Sequence, residues 1–311
     1  MREEKKAIYG GQAIVEGVMF ADRNYTVSAI RRNDQSIQYF EEPVHTNPSM
    51  QKLKKIPFVR GVVAIIQASI NGSKHLNFSS ERYGVDPSDD EKIALEKEKQ
   101  KQKNSLSTYI GLSLLAVLSF LVGKVIFTLL PVFLAATLRP IFKSDVQQVI
   151  VESILKLCLL LLYIYLISLT PFIKRLFQYH GAEHKVINAF ENNIPLTVEG
   201  VQSQSRLHYR CGSSFILFTV IVGMFIYFLV PTSPLWLRIV DRVLLIPVVI
   251  GVSFEVLQLT NKARNIPILK WIGYPGLWLQ LLTTKEPFDD QVEVSIASFN
   301  RLLEIEKKRQ I

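Results

Sequence analysis

Cysteine is nearly absent from this chain of 311 residues. Its two thiols, Cys158 inside an apolar run and Cys211 after a basic loop, lack the spacing of a disulfide framework, which fits a reducing compartment. No apolar stretch follows Met1-Arg2-Glu3-Glu4-Lys5-Lys6, so no cleavable signal peptide is expected, and about the first hundred residues are predicted to lie in the cytosol. There is no Ser-His-Asp order and no P-loop, and Gly10-Gly11 lacks the Gly-Lys-Ser or Gly-x-x-Gly context of a phosphate or dinucleotide loop. Nucleic-acid motifs are missing as well. The formal charge of +9 is spread through loops and linkers, so no nucleic-acid partner is expected and anionic lipid accounts for the basic excess.

What the chain has is apolar length. Hydrophobic residues make up 49% and charged ones only 20%, too apolar for an ordinary soluble domain. Runs at about 109–138, 149–171, 213–230 and 236–257 are each read as a membrane span, since roughly 20 apolar residues cross the hydrocarbon layer. The first is interrupted by Lys124 and Pro131; the second carries Glu152 and Lys156 near its start; the fourth holds Arg238, Asp241, Arg242 and Glu255. Residues 1–107 contain 17 Lys or Arg and 174–211 contain five, against two between Arg139 and Asp145. By the positive-inside rule both termini are cytoplasmic, in a multi-pass protein of the cell membrane. Arg238 and Arg242 then lie at the outer end, where snorkelling or pairing with Asp241 or Glu152 accommodates them.

The expected fold class is mainly α: a membrane protein of about four transmembrane helices with a small N-terminal α+β cytoplasmic domain and C-terminal amphipathic helices. The domain division is 1–85, a charged helix or linker at 86–106, a transmembrane bundle at 107–260 with a cytoplasmic His-rich loop at 174–211, and C-terminal interfacial helices at 261–311. In the first part, Gly10 to Met19, Tyr25 to Ile30 and Ser36 to Phe40 read as strands of a β-meander divided by Arg-Asn and Asn-Asp turns. Phe58 to Ile70 is apolar but too short to span, and is placed as a surface or core helix.

After the second span stands His180-Gly181-Ala182-Glu183-His184, the His-x-x-Glu-His spacing of inverted zincins. On a helix His180 and His184 share one face, as two ligands of a Zn²⁺ ion must, and Glu183 is placed as general base. A third ligand is needed. The candidates are Glu255, at the cytoplasmic end of span four, and His208 or Cys211, before span three. Glu255 is singled out because a carboxylate in an apolar helix takes a metal, an Arg or a proton as partner, Arg210 or Lys262 being the ordinary candidates.

These residues belong to a wider set: Gly10-Gly11-Gln12-Ala13 with Glu16-Gly17-Val18-Met19, Arg60-Gly61, Tyr179 through Lys185, His208 with Arg210-Cys211-Gly212, Ser253-Phe254-Glu255, and Pro275-Gly276 through Thr283-Thr284 to Glu286-Pro287. In them the chain resembles the bacterial YqhQ-like membrane family, whose members are described as predicted metal-dependent enzymes, and the resemblance covers nearly the whole chain. Tyr209 stands where that family favours Pro, and Phe254 where it favours Tyr. The resemblance implies a polar site that includes Gln12, Glu16, Arg60, Tyr179, Lys185, Arg210, Gln280, Thr283, Thr284 and Glu286. Gln280, Thr283, Glu286 and Glu293 are read either as lining the site or as ordinary capping and packing residues.

The leading functional expectation is a membrane-embedded, zinc-dependent hydrolase or peptidase. A rival is a non-enzymatic factor of membrane-protein biogenesis or quality control that binds a client helix. A third is a transporter with an ion path through Lys124, Glu152, Lys156 and Glu255.

Overall fold

The computed structural model describes residues 9–44, 48–92, 95, 126–263 and 266–310. Lys124, most of the 86–106 linker and the greater part of the first expected span lie outside them.

Four strands, β1 (Gly10–Ile14), β2 (Gly17–Ala21), β3 (Tyr25–Arg31) and β4 (Ile37–Pro43), form one antiparallel meander in the order β1-β2-β3-β4. The single strand expected over Gly10 to Met19 is two, folded at Val15-Glu16 so that Ile14 pairs with Gly17. Glu16 takes the left-handed conformation there (φ 54°). Its carboxylate accepts two hydrogen bonds from Arg175, at 2.5 and 2.6 Å, and this anchors the turn.

Side chains alternate across the sheet with period two. Ile14, Met19 and Ile30 meet Phe78 on one side, which belongs to α2 (Val59–Arg82), the helix after the short α1 (Pro48–Leu53). Val18, Phe20, Val27 and Ala29 enter the main core on the other side, with Val292, Val294, Phe299 and Leu302. Those last four lie in the C-terminal helix, Asp289–Gln310. The helix expected at the lipid interface thus lays its apolar stripe on the sheet. An exposed apolar sheet face must be covered by another layer, and Ser298 fixes the contact by donating to the Val18 and Val27 carbonyls.

The intervening helices are α3 (Ile126–Thr137), α4 (Asp145–Ser168), α5 (Pro171–Glu191), α6 (Val198–Gln202), α7 (Gly212–Tyr227), α8 (Leu235–Leu244), α9 (Ile246–Ala263) and α10 (Tyr274–Thr283), which makes the C-terminal helix α11. The stretch expected as a His-rich loop is therefore largely helical, in α5 and α6. Among the described residues α4 is long and apolar enough to cross a membrane; α8 and α9, bent by 50° at their junction, make a second span if counted as one. Ile154, Leu162, Tyr165 and Leu166 of α4 are exposed, as side chains that face lipid would be. These apolar helices point to membrane association. Arg238 and Arg242 pair with Glu152: Arg238 Nη2 lies 2.7 Å and Arg242 Nε 2.8 Å from its carboxylate oxygens, all three side chains buried.

Candidate functional site

Helix α5 begins with Pro171 after Thr170, a first-turn proline whose missing N–H costs nothing. Two turns on, it presents His180 and His184 on one face, with ring centroids 4.5 Å apart. Cys211 comes from a different segment, at the cap of α7, where its sulfur accepts from the Ser213 N–H. The ligand-type atoms of His180, His184 and Cys211 all lie within 4.8 Å of one another, and Cys211 Sγ is 3.2 Å from His180 Nε2.

The outer nitrogens of both imidazoles are occupied. His180 Nδ1 lies 2.8 Å from the Thr283 carbonyl and His184 Nδ1 2.7 Å from the Arg206 carbonyl. A carbonyl only accepts, so both Nδ1 atoms carry the hydrogen, and in the neutral ring it is Nε2 that offers a lone pair. Gln280, fully buried, fixes the Cys211 loop: it accepts from the His208 N–H and donates to the His208 carbonyl and the Ser214 hydroxyl, each at 2.8 Å. The chain after α10 reaches α5 through the Lys285 N–H, which donates to the Phe177 carbonyl. Gly181 permits that approach, since a Cβ there would stand 2.1 Å from the Lys285 oxygen.

Burial and charge compete at this centre. Burial pulls the His180 imidazole down, but the facing Cys211 thiolate and Glu183 outweigh it and raise it to about 9. Burial likewise opposes ionisation of Cys211, yet His180 and His184 together hold the thiol well below its ordinary value. The thiolate is the form that ligates metal or attacks as a nucleophile. Burial pushes the Glu183 carboxyl upward against the attraction of both histidines. A carboxyl so placed is suited to carry a proton.

A cavity of about 430 Å³ opens onto these groups, walled by Gly10, Gly11, Gln12 and Ala13 of β1 on one side and by His208 and Arg210 on another. His208 is a neighbour of the cluster, its ring 5.8 Å from that of His184; its Nε2 lies 3.7 Å from Glu191, which also pairs with Arg210. Thr284 and Glu286 sit behind the centre, both bound to Arg206, and Glu286 also reaches Lys185 at 2.9 Å. Glu16 and Tyr179 form a separate group with Arg175.

Glu255 does not join the histidines. The packing of α2 against α9 brings Arg60 to it in a two-pronged ion pair, and the Phe58 N–H adds a bond of 3.1 Å. This carboxylate is satisfied by a cation, neither of those named from the sequence, and of the candidate third residues it is Cys211 that lies beside both histidines. Two supporting groups were not evident from sequence. Ser213 places its hydroxyl 3.0 Å from the Cys211 sulfur, for which its position just after Cys-Gly at a helix start was the available signal. Arg206 acts through its main-chain carbonyl, which has no residue-type signal.

The family model described as "protein of unknown function (DUF1385)" matches residues 56–305. The chain is 66% identical over 298 residues to the "uncharacterized protein YqhQ" of Bacillus subtilis (strain 168), covering 96% of this chain and 93% of that protein. No solved structure matches. By both the family model and this relative, the chain belongs to the DUF1385, or YqhQ-like, family.

Proposed function

We propose that this protein is an integral membrane, metal-dependent hydrolase with its centre at the cytoplasmic face. The observation that carries the reading is the convergence of the His180, His184 and Cys211 ligand atoms within 4.8 Å. Tetrahedral zinc spaces nitrogen and sulfur ligands by about 3.5 Å, which the 3.2 Å between Sγ and Nε2 approaches. Both imidazoles are already oriented by main-chain carbonyls, as metal-ligating histidines are. Three protein donors of this kind fit a catalytic rather than a structural zinc. When bound, Zn²⁺ supplies Lewis acidity. Glu183 takes the proton of the attacking water and returns it to the leaving group, while His208 and Arg210 bind substrate oxygens from the cavity wall.

The topology we propose has four spans: the apolar run at about 109–138, α4, α7, and the α8–α9 pair. The sheet, α5 and α11 share one core, so the chain crosses the membrane an even number of times before α5 and again after it. Two crossings in each half satisfy this, with both termini cytoplasmic as the loop charges require.

Elemental analysis of the detergent-purified protein tests the reading. One zinc per chain is expected, lost in the His180→Ala/His184→Ala double variant and retained in Glu183→Gln, which should no longer hydrolyse substrate. Protein purified without chelator that holds no metal overturns it. The 3.2 Å approach of Cys211 to His180 favours a second reading in that event, a cysteine nucleophile with a histidine base, recognised by alkylation of Cys211 at a pH where an ordinary thiol stays unreactive.

A further inference from the structure

Among the described residues the sheet has two edge strands, and they differ in a way that bears on substrate. β4 reads Ile-Gln-Tyr-Phe-Glu-Glu-Pro, and its Glu41 and Glu42 are engaged by Arg301 and Lys74. Charges and proline at an edge are the usual protection against pairing with another chain. β1 reads Gly-Gly-Gln-Ala-Ile and has neither. It is also the strand that forms a wall of the cavity over the His180, His184 and Cys211 cluster.

The register settles which groups of β1 point outward. The two-residue turn makes Ile14 and Gly17 a hydrogen-bonded pair, and Gln12 with Met19 the next. Gly11 and Ala13 fall in the alternate, non-bonded pairs with Phe20 and Val18, so their N–H and C=O groups face away from β2. Both residues are half-buried, at the rim of the cavity. The row they present, a donor and an acceptor at every second residue with no charged side chain, is complementary to an extended polypeptide backbone, which offers acceptors and donors at the same interval. A sugar, nucleotide or lipid headgroup has no such repeat.

We infer that the substrate of this centre is an extended polypeptide segment, which adds to the sheet as a fifth strand along β1 and so lays one of its peptide bonds beside the cluster. The inference rests on the metal-hydrolase reading above and names its substrate class.

Four hydroxamates test it on the zinc-loaded full chain in detergent: acetohydroxamate, tetra-alanine carrying the same hydroxamate, and that peptide with one or the other set of alternate amide nitrogens methylated. The peptide hydroxamate should bind at least about tenfold more tightly than acetohydroxamate, since each backbone hydrogen bond contributes roughly fivefold. Methylation in one of the two alternations should abolish the gain. Ala13→Pro should abolish it too, because it removes a donor from the row while a proline whose ring points off a sheet edge is tolerated by the fold. A peptide that binds no better than acetohydroxamate, or that keeps its full gain in both methylated forms, overturns strand addition while the metal centre stands. Failure of acetohydroxamate itself to bind overturns both. The methylated peptides use the unaltered protein, so the test survives if Ala13→Pro does not fold.

Discussion

Gly11 of β1 stands directly against the carboxyl group of Glu183: a Cβ added there would lie 2.7 Å from both Glu183 Cγ and Oε1. The strand therefore shapes the pocket of the proposed proton carrier, and Gly11→Ala must displace it. Glu183 is only 5% exposed, so it can yield only by moving against its neighbours. The expected result is wild-type zinc content with kcat lowered by roughly 10- to 100-fold, the usual penalty for misplacing a catalytic group by about 1 Å. Gly10→Ala is the matched control, since nothing lies within 4 Å of a Cβ at that position. Equal activity in the two variants would show that the Glu183 position does not matter to the reaction.

His75 predicts how the sheet and the helices packed on it respond to acid. Its ring is fully buried between Ser28 and Thr26, with a nitrogen 2.8 Å from each hydroxyl. Burial lowers its pKa from 6.5 to about 4. Because the folded value lies below the unfolded one, the unfolded chain takes up the proton first. The neutral ring's contribution is complete above about pH 6.5 and is lost as pH falls toward 4. Between pH 7 and 5 this single group should cost about 2 kcal/mol. Unfolding midpoints of the wild type and His75→Asn at the two pH values measure it: the variant should start less stable yet lose less. Parallel losses would mean that another group carries the acid response.

The sequence displays some of this architecture because the relevant patterns are local. Val18, Phe20, Val27 and Ala29 alternate with period two, and His180 and His184 are one helical turn apart, so the strand faces and the shared helix face follow without knowledge of the tertiary fold. The break at Val15-Glu16 did not show because an apolar Val continues the pattern into the turn. Glu255 was misassigned for a different reason: Arg60 is 195 residues away in sequence, and only the packing of α2 on α9 makes them neighbours. The apolar stripe of α11 has the same periodicity whether it meets lipid or a sheet. Pro247, in the first turn of α9, did carry a signal for the bend after α8, because it can neither donate to nor pack against the preceding turn.

Among the described residues the buried charges around Glu152 do not balance, and this makes their ranking predictable. Glu152 faces two guanidiniums: Arg238 donates through Nε and Nη2 at 3.0 and 2.7 Å, and Arg242 through Nε and Nη2 at 2.8 and 2.9 Å. Gln148 accepts from Arg238 at 3.1 Å, and the Tyr227 ring lies 4.0 Å beneath Arg242. Glu152→Gln would leave both cations buried without a counter-charge, at a cost of about 3–5 kcal/mol. Arg242→Met removes the excess cation and keeps a neutral Glu152–Arg238 pair, so its cost should be much smaller. Thermal unfolding in detergent should therefore rank the wild type and Arg242→Met well above Glu152→Gln, with zinc content equal in the folded protein of all three. A midpoint for Glu152→Gln at or above that of Arg242→Met would show that the carboxylate is not what holds α8 against α4.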